Sequence, residues 1–345
     1  MNILFTSAGR RGYLLDWFKR SGHFGTIGAT NSEPCTAFAS ADLWSILPET
    51  THESYPAAFF SLIEEWSIDV VIPLTDLDAL AQSEMKNKLS ESGVLAVCAD
   101  YEMVKIMVDK LSWAGSLSAA GFPLPATFAT VTEAREAIES GELLFPIFVK
   151  PRVGTSSQLA RKVLNMGDFE AILKQLAAVP LTPIERYSGV EKETRFIFQE
   201  FIEGTEFGVD LLADLSGAYE GAFFREKIQS RGGETDRALT RRHVDFGFSL
   251  ESFSKHLGMK GLTDIDLIVD TQGKAAVVDI NPRIGGGYPF SHMAGADLPE
   301  YIHAWVEGRR ANFHPVKLQE RHFGKAVTMV EIPTSPSVDS VESRE

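Results

Sequence analysis

Cysteine is scarce in this sequence, and long apolar runs are missing. Cys35 and Cys98 are the only cysteines among 345 residues, too few for a disulfide framework or for a metal site built from cysteines alone. No apolar stretch approaches the length needed to cross a bilayer. The apolar run at residues 1–5 is too short for a signal peptide, and Arg10 and Arg11 follow it. We therefore expect a cytoplasmic protein whose cysteines serve as small core residues.

Positive charge is also in short supply. The chain carries 47 acidic residues against 33 lysines and arginines, a formal net charge of −14 at pH 7. Non-specific binding to nucleic acid depends on a basic face, so this balance argues against a nucleic-acid partner. The absence of a long apolar span argues equally against a membrane partner. The chain shows no internal repeat, and its length is sufficient for two or three domains.

Two common phosphate-binding fingerprints are missing as well. Gly9-x-x-Gly12 lacks the G-x-G-x-x-G spacing, and no Gly-Lys-Ser/Thr follows Lys150 as in a Walker A loop. Residues 1–100 nevertheless alternate strand-like and helix-like segments, which predicts a doubly wound α/β domain with a parallel sheet. Arg10 and Asp76 fall at the carboxyl ends of the predicted strands, where such domains bind ligands. Ordinary turn residues are an equal alternative at these positions.

The sequence does contain an acid-bearing hairpin. Apolar runs at 265–269 and 275–280 flank a Thr-Gln-Gly-Lys turn. Because strand side chains alternate between faces, Asp279 and Asn281 share a face, and pairing across the turn can bring Asp266 opposite Asp279. Carboxylates this close raise each other's pKa unless a cation lies between them, and hard oxygen ligands suit Mg²⁺. We predict a metal site here; a solvated hairpin is the alternative for any single aspartate.

Two lysines offer positive charge for phosphate oxygens. Lys150 ends an apolar strand at 145–149 and precedes a Gly-Thr-Ser-Ser loop at 154–157, whose N–H groups and hydroxyls can approach a phosphate closely. Lys110 falls near the middle of a segment, 101–120, that is predicted to be helical, where a lysine is usually solvated. Either lysine alone is weak evidence for a phosphate site.

The stretch from Gln199 to Glu206 has features of a nucleoside site. Strands are predicted at 196–202 and 207–213 around a Glu-Gly-Thr-Glu turn. A strand edge can hydrogen-bond an adenine through its backbone while apolar residues pack on the ring, and Glu206, just past the glycine, can accept from ribose hydroxyls. A hairpin with ordinary turn acids is an equal alternative.

Basic residues cluster after a predicted strand at 221–224, in what the sequence predicts to be a polar loop reaching about residue 243. The cluster comprises Arg225, Lys227, Arg231, Arg237, Arg241 and Arg242. Paired arginine hydrogen bonds can bind a substrate carboxylate, and a solvated basic loop is the equal alternative.

Taken in order, these pieces resemble the ATP-grasp superfamily, in its carbamoyl-phosphate-synthase-like branch. The resembling motifs are Asp109-Lys110, Gly121-x-Pro-x-Pro125, Phe145-Pro-Ile-Phe-Val-Lys-Pro151 with its Gly-Thr-Ser-Ser loop, Gln199-Glu-Phe-Ile-Glu-Gly-Thr-Glu206, and Asp266 with Val278-Asp-Ile-Asn-Pro-Arg283. The resemblance implies an α/β chain with a doubly wound pre-ATP-grasp domain at 1–100 and a two-lobed ATP-grasp domain of α+β lobes at 101–333. The small lobe would span about 122–193 and the large catalytic lobe about 194–315, followed by a disordered tail at 334–345.

The resemblance also implies a role for each site residue. ATP would be bound by Lys110, Lys150, Gly154, Thr155, Ser156, Ser157, Glu200, Phe201, Ile202 and Glu206. The metal would be bound by Asp266, Asp279 and Asn281, and the catalytic residues would be Arg283, Lys150 and Asn281, with Arg283 facing the γ-phosphate. The substrate candidates are Arg225, Lys227, Arg241, Arg10 and Asp76. The family's second-strand acid is most often glutamate, and Asp279 in its place leaves the number of metal ions open.

The implied reaction is the ADP-forming activation of a carboxylate. The substrate carboxylate attacks the γ-phosphate of ATP to give an acyl phosphate, and an amine or similar nucleophile then displaces the phosphate. The expected cofactors are ATP and Mg²⁺, with Mn²⁺ as an alternative metal, and the expected partners are small carboxylates and amines; a homodimer is left open. Two other functions stay open: a half-reaction that ends at an acyl phosphate or carboxyphosphate, and a non-catalytic ATP-binding subunit.

Overall fold

Short apolar segments in the first hundred residues form a five-stranded parallel sheet. The structure, a computed structural model, describes residues 1–154, 159–311 and 320–334. The strands are β1 (Ile3–Thr6), β2 (Ile27–Asn31), β3 (Leu43–Ile46), β4 (Val70–Pro73) and β5 (Leu95–Ala96), in the order β3-β2-β1-β4-β5. The helices are α1 (Gly12–Ser21), α2 (Tyr55–Glu65), α3 (Asp76–Glu84) and α4 (Lys86–Glu91). Every residue of the central strand β1 is buried, as expected for a sheet covered on both faces. The predicted doubly wound domain is confirmed.

The segment predicted as one helix at 101–120 is two helices, α5 (Tyr101–Val108) and α6 (Lys110–Ala119). They are separated at Asp109, whose carboxylate accepts from the backbone N–H groups of Leu111 and Ser112 as the N-cap of α6. The same carboxylate forms an ion pair with Arg152 at 2.6 Å. The prediction that Lys110 lies near the middle of a helix is therefore wrong: Lys110 begins a helix, and its side chain is buried.

The next part of the chain builds an antiparallel sheet of four strands, in the order β6-β9-β7-β8. Its strands are β6 (Thr127–Phe128), β7 (Ile147–Pro151), β8 (Arg161–Val163) and β9 (Phe196–Glu200), and its helices are α7 (Val131–Ser140), α8 (Met166–Ala177) and α9 (Pro183–Tyr187). The domain and lobe boundaries stay a prediction, although this sheet itself continues to Glu200, beyond the small-lobe limit expected near residue 193.

A second antiparallel sheet has six strands, in the order β14-β13-β10-β11-β12-β15. The strands are β10 (Gly204–Ala213), β11 (Tyr219–Arg231), β12 (Glu234–Arg241), β13 (Gly261–Asp270), β14 (Ala275–Asn281) and β15 (His322–Gly324), and the helices are α10 (Leu250–His256), α11 (Tyr288–Met293) and α12 (Leu298–Val306). Two predictions are wrong here. Strands β9 and β10 do not form a hairpin, because they belong to different sheets, and the basic stretch after residue 224 is a long hairpin rather than a loop.

The cysteines, the apolar helices and the C-terminal tail were each the subject of a prediction. Both cysteines are buried free thiols, as predicted. Across the described residues, no helix combines the length and the apolar character that a membrane span requires. The tail expected at 334–345 lies, apart from Thr334, outside the described residues.

A buried ion pair stabilises the part of the chain that builds the four-stranded sheet. Glu185 of α9 and Arg195, just before β9, lie 2.7 Å apart with both side chains almost fully buried, and Arg195 also donates to the carbonyl oxygens of Val179 and Pro180. Removing one partner of such a pair leaves an uncompensated buried charge, which lowers stability by about 3–5 kcal/mol. We therefore expect Arg195→Met to lower the midpoint of the first urea unfolding transition, followed by circular dichroism.

The matched control is Arg135→Met, which breaks a surface ion pair between Arg135 of α7 and Glu170 of α8. Solvent and salt screen a surface pair, so this variant should unfold at the same urea concentration as the unmodified chain. Equal midpoints for the two variants would contradict the stabilising role of the buried pair.

Candidate active site

The acid-bearing hairpin folds in the predicted register. Strands β13 and β14 are antiparallel, Asp266 lies opposite Asp279, and Asp264 lies opposite Asn281. Burial raises the pKa of Asp266 to about 7. The positive charge of Lys227 opposes this change, and the negative charges of Asp264 and Glu206 add to it. Two facing aspartates on a rigid ribbon are thus brought together as the alternation of side chains requires.

Two lysines that are distant in sequence meet the hairpin at Asp279. Lys110 Nζ lies 3.1 Å from Asp279 Oδ1 and donates to the carbonyl oxygen of Gly154 at 3.0 Å. Lys150 Nζ donates to the carbonyl oxygen of Val278 at 2.6 Å. Burial by itself favours a raised pKa at Asp279, but Lys110 and Lys150 outweigh it and the pKa lies below its usual value. Burial lowers the pKa of Lys150 to about 8, although Asp279 opposes this change.

A cavity of about 270 Å³, here called the nucleotide cavity, lies between the two antiparallel sheets at this point. Its lining includes Lys110, Lys150 and Gly154, together with Glu200, Phe201, Ile202, Glu206, Asp266 and Asp279. The walls are apolar on both sides: Phe148 comes from β7, Ile202 comes from the connection between β9 and β10, and Ile268 and Val278 come from the hairpin. Apolar walls of this kind can hold a flat aromatic base, and Lys110 and Lys150 in the same lining offer positive charge to phosphate oxygens.

Two residues that were predicted to contact the nucleotide, Glu200 and Glu206, already have partners in the protein. Glu200 Oε2 accepts from the backbone N–H of Ala126 at 3.3 Å, and Glu206 Oε1 lies 2.7 Å from Lys227 Nζ. The predicted loop residues Thr155, Ser156 and Ser157 lie outside the described residues. Gln199, which the sequence reasoning did not select, is buried in the cavity wall and donates to the Thr127 hydroxyl.

A second cavity of about 200 Å³, here called the polar cavity, adjoins the nucleotide cavity. The two share Glu206, Asp266 and Asp279 in their linings. The cations that line the polar cavity are Arg11, Arg225, Lys227 and Arg283, and the remaining acids are Glu234 and Asp264. The cations and the acids of this cavity can together hold an anionic group and a divalent ion side by side.

The predicted substrate residues fall in different surroundings. Arg225 is 1% exposed, pairs with Asp210 at 2.6 Å and with Asp264, and forms part of the polar-cavity wall. An alanine Cβ at Gly208 or Gly287 would fall within 3 Å of its guanidinium nitrogens, so these glycines leave the space that the arginine occupies. Arg225 is therefore held in place by protein acids.

The remaining substrate candidates differ in their access to the cavity. Lys227 Nζ lies 2.7 Å from Asp266 Oδ1 inside the polar cavity, whereas Arg241 pairs with Glu226. The Arg10 side chain is 86% exposed, and its neighbour Arg11 lines the cavity in its place. Arg11 sits at the N-cap of α1, a position that two adjacent arginines in a turn do not reveal from sequence.

An ion pair joins the N-terminal domain to the hairpin. Arg283 Nε lies 3.0 Å from Asp76 Oδ1, and the same guanidinium donates to Asn281 Oδ1 at 3.0 Å. Burial raises the pKa of Asp76, and Arg283 opposes that change. The structure therefore brings Asp76, a predicted substrate residue, together with Asn281 and Arg283, which were predicted to act in catalysis, Asn281 also as a metal ligand.

The facing aspartates suit a divalent cation. One oxygen of each, Oδ1, is buried. An ammonium group lies close to each of these oxygens, Lys227 at 2.7 Å from Asp266 and Lys110 at 3.1 Å from Asp279. Buried carboxylate oxygens on facing strands are hard ligands of the kind that Mg²⁺ prefers.

A cavity between two antiparallel sheets, lined by both lysines and acids, is typical of two-lobed ATP-dependent ligases. Sequence comparison gives the family. Residues 107–287, slightly more than half of the chain, match the ATP-grasp domain, and the protein belongs to the ATP-grasp family. Residues 3–97 match the PylC-like N-terminal domain. The predicted resemblance, fold class and enzyme class, an ADP-forming ligase, are confirmed.

Proteins similar to this chain include two named as ligases and a biotin carboxylase domain. A Streptomyces coelicolor protein named "Putative D-alanine--D-lactate ligase" is 25% identical over 254 residues, covering 67% of this chain and 69% of that protein. The biotin carboxylase domain of Hydrogenobacter thermophilus 2-oxoglutarate carboxylase, solved with MgADP, ADP and bicarbonate, is 15% identical with a TM-score of 0.69, covering 93% of this chain and 73% of that one. An L-amino acid ligase from Bacillus licheniformis is 17% identical with a TM-score of 0.66, covering 89% and 75%. These two structures share the fold.

Proposed function

We propose that the protein is an ADP-forming ATP-grasp ligase that joins a small-molecule carboxylate to an amine or similar nucleophile. The observation that carries the proposal is the position of two lysines beside the facing aspartates: Lys110 pairs with Asp279, and Lys150 donates to the carbonyl oxygen of the adjacent Val278. A protein that only senses ATP has no need of this much charge at the far end of a nucleotide. An enzyme that transfers the γ-phosphoryl group does need it, because negative charge spreads over the phosphoryl oxygens in the transition state.

The residues suggest how the first step proceeds. A carboxylate in the polar cavity would be held by Arg11 and Lys227, next to the end of the nucleotide cavity. Its oxygen attacks the γ-phosphorus, the bond to the bridging oxygen breaks, and ADP leaves with the electron pair. Lys110, Lys150 and Arg283 offset the developing charge, and the buried setting strengthens each interaction. Mg²⁺, held by Asp266, Asp279 and Asn281, would supply further charge neutralisation at the phosphate oxygens.

We also propose the metal, the substrate classes, the compartment and an assembly. Mg²⁺ is the metal proposed, with Mn²⁺ as a substitute of similar ligand preference. The amine and the carboxylate are small molecules, the compartment is the cytoplasm, and a homodimer is one assembly to examine by sedimentation. The similar proteins suggest amino acids, D-lactate and bicarbonate as the first molecules to assay.

The deciding experiment measures ADP release from ATP and Mg²⁺ with these acids, each with and without an amino acid as nucleophile. ADP formation that requires both partners supports a ligase. Hydroxylamine, added in place of the nucleophile, converts an acyl phosphate to a hydroxamate that can be measured directly. AMP in place of ADP, or no nucleotide turnover together with no hydroxamate for any acid, would contradict the proposal.

A further inference from the structure

A third cavity, of about 300 Å³, lies at the carboxyl ends of the parallel strands of the N-terminal domain. It is here called the strand-end cavity. Thr6 ends β1 and Ser7 follows it, Thr75 and Asp76 follow β4, and all four line it. The strand order reverses between these two strands, since β2 and β3 lie on one side of β1 and β4 lies on the other. Crevices at such a reversal are the usual ligand sites of doubly wound sheets.

The strand-end cavity reaches the site of phosphoryl transfer. Asp76 lines it, Arg283 lines the polar cavity, and the two side chains are paired at 3.0 Å. Pro151 and Gly154 line both the strand-end cavity and the nucleotide cavity. A ligand in the strand-end cavity therefore has its inner end beside the place where an acyl phosphate would form.

The two cavities differ in the charges of their linings. Among the described residues that line the strand-end cavity, Asp76 and Glu49 are charged, and no lysine, arginine or histidine is present. The polar cavity has four cations among five acids. Within the described linings, a carboxylate can therefore find a cationic partner on the Arg283 side of the ion pair, and a cation is favoured on the Asp76 side, where the charged residues are acids.

The rest of the strand-end cavity is largely apolar. Leu47, Tyr55 and Leu77 come from the N-terminal domain, and Val153, Leu159 and Ile184 come from the small-lobe segment above it. Each methylene of a ligand chain that such walls remove from water adds about 0.8 kcal/mol of favourable transfer free energy. The lining thus selects a molecule with a cationic end and an apolar body.

We infer that the strand-end cavity binds the second substrate of the ligase, a primary amine with an apolar chain, and that Asp76 receives its ammonium group. This inference rests on the proposed function. A carboxylate has two oxygens with several lone-pair sites, so Asp76 can accept from an ammonium while it stays paired with Arg283. A hydroxy acid, whose only charge is negative, is disfavoured in the same cavity.

In the second step the amine reacts with the acyl phosphate to give an amide. Asp76 accepts one proton from the ammonium, and the nitrogen lone pair attacks the carbonyl carbon of the acyl phosphate. A carbon–nitrogen bond forms, and the bond from that carbon to the phosphate oxygen breaks. Phosphate leaves with the electron pair and takes a second proton from nitrogen. The products are an amide, hydrogen phosphate and protonated Asp76, which returns its proton to solvent.

The test uses two probes of the same chain length, n-hexylammonium chloride and sodium hexanoate. Their binding to the full chain in the presence of MgADP is measured by calorimetry. We expect hexylammonium to bind, and Asp76→Asn to weaken it by about tenfold or more, because a charge-assisted hydrogen bond is lost. Ser32→Trp, which adds bulk to the cavity lining without removing a carboxylate, should weaken the same probe. Glu53→Gln, an exposed acid that does not line the cavity, is the matched control and should bind it normally.

The outcomes separate this inference from the proposed function. Hexylammonium that binds the control and both variants equally, or fails to bind the unmodified chain, overturns the inference whatever the enzyme assay gives. Hydroxamate formation by the unmodified chain, measured on the same preparation, reports the first step and does not need an occupied amine site. Among active chains, Asp76→Asn should raise the KM of the amine substrate more than that of the carboxylate substrate, and an equal rise would count against the inference.

Discussion

Asp279→Asn is expected to lower the rate of ADP formation by about 10³-fold, the size of several kcal/mol of lost charge stabilisation. Asparagine has nearly the same shape as aspartate, so the β13–β14 ribbon can keep its register. The change removes one of the two facing carboxylates and the anionic neighbour of Lys110 at 3.1 Å. The measurement is the initial rate of ADP formation at saturating ATP as Mg²⁺ is varied, and the Mg²⁺ concentration at half-maximal rate should rise.

The control for this variant is Asp270→Asn on the same hairpin. Asp270 is at the turn, where its carboxylate accepts from the backbone N–H groups of Gln272 and Lys274, and an asparagine oxygen can accept the same bonds. Its rate and Mg²⁺ dependence should match those of the unmodified chain. An Asp279→Asn enzyme with an unchanged Mg²⁺ requirement would show that the facing aspartates are not metal ligands.

Lys150→Met is expected to reduce kcat by about 10²- to 10³-fold, the range found when one preorganised charge-stabilising group is removed. Methionine keeps most of the buried stem of the lysine and removes the ammonium that donates to the Val278 carbonyl oxygen. The charge on the transferred phosphoryl group is absent from ADP, so the Kd for ADP should change far less than kcat. The two quantities are measured by steady-state ADP release and by calorimetry.

A matched substitution at the surface checks for general effects of losing a lysine. Lys174 lies exposed on α8, and Lys174→Met should leave both kcat and the Kd for ADP unchanged. If Lys150→Met kept kcat within about threefold of the unmodified chain, well below the effect of losing one charge-stabilising group, Lys150 would have no part in phosphoryl transfer.

The hairpin site was predictable because its information is local. Alternation along β13 and β14 and one short turn fix which residues face each other, so Asp266 and Asp279 follow from spacing alone. The α/β alternation of the first hundred residues is equally local. Strand β3 was not predicted, because only Trp44 among its four residues is buried and the apolar pattern is weak. Patterns that lie within a few residues of one another were sufficient for these parts.

The errors came from contacts between distant segments. The helix break at Asp109 depends on Arg152, 43 positions later, and no local pattern indicates that partner. The stretch after residue 224 is predicted as a loop because it is rich in charged residues, and the structure makes it part of a hairpin. Arg225 is buried there only because Asp210 and Asp264 neutralise it from neighbouring strands.

The choice between adjacent arginines also needed the fold. Arg10 and Arg11 have the same chemistry and occupy the same predicted turn, and only the direction of the chain entering α1 places Arg11 against the polar cavity. The difference between a cavity with both cations and acids and one whose charged residues, in its described lining, are acids was likewise not visible in the sequence, since their linings combine segments from across the chain.

The short connection between β9 and β10 passes from one sheet directly into the other, and its residues Phe201 and Ile202 also form part of the nucleotide cavity. An adenine seated there would contact the segment that joins the two sheets. A change in the backbone torsions of that segment would therefore move one wall of the cavity relative to the other.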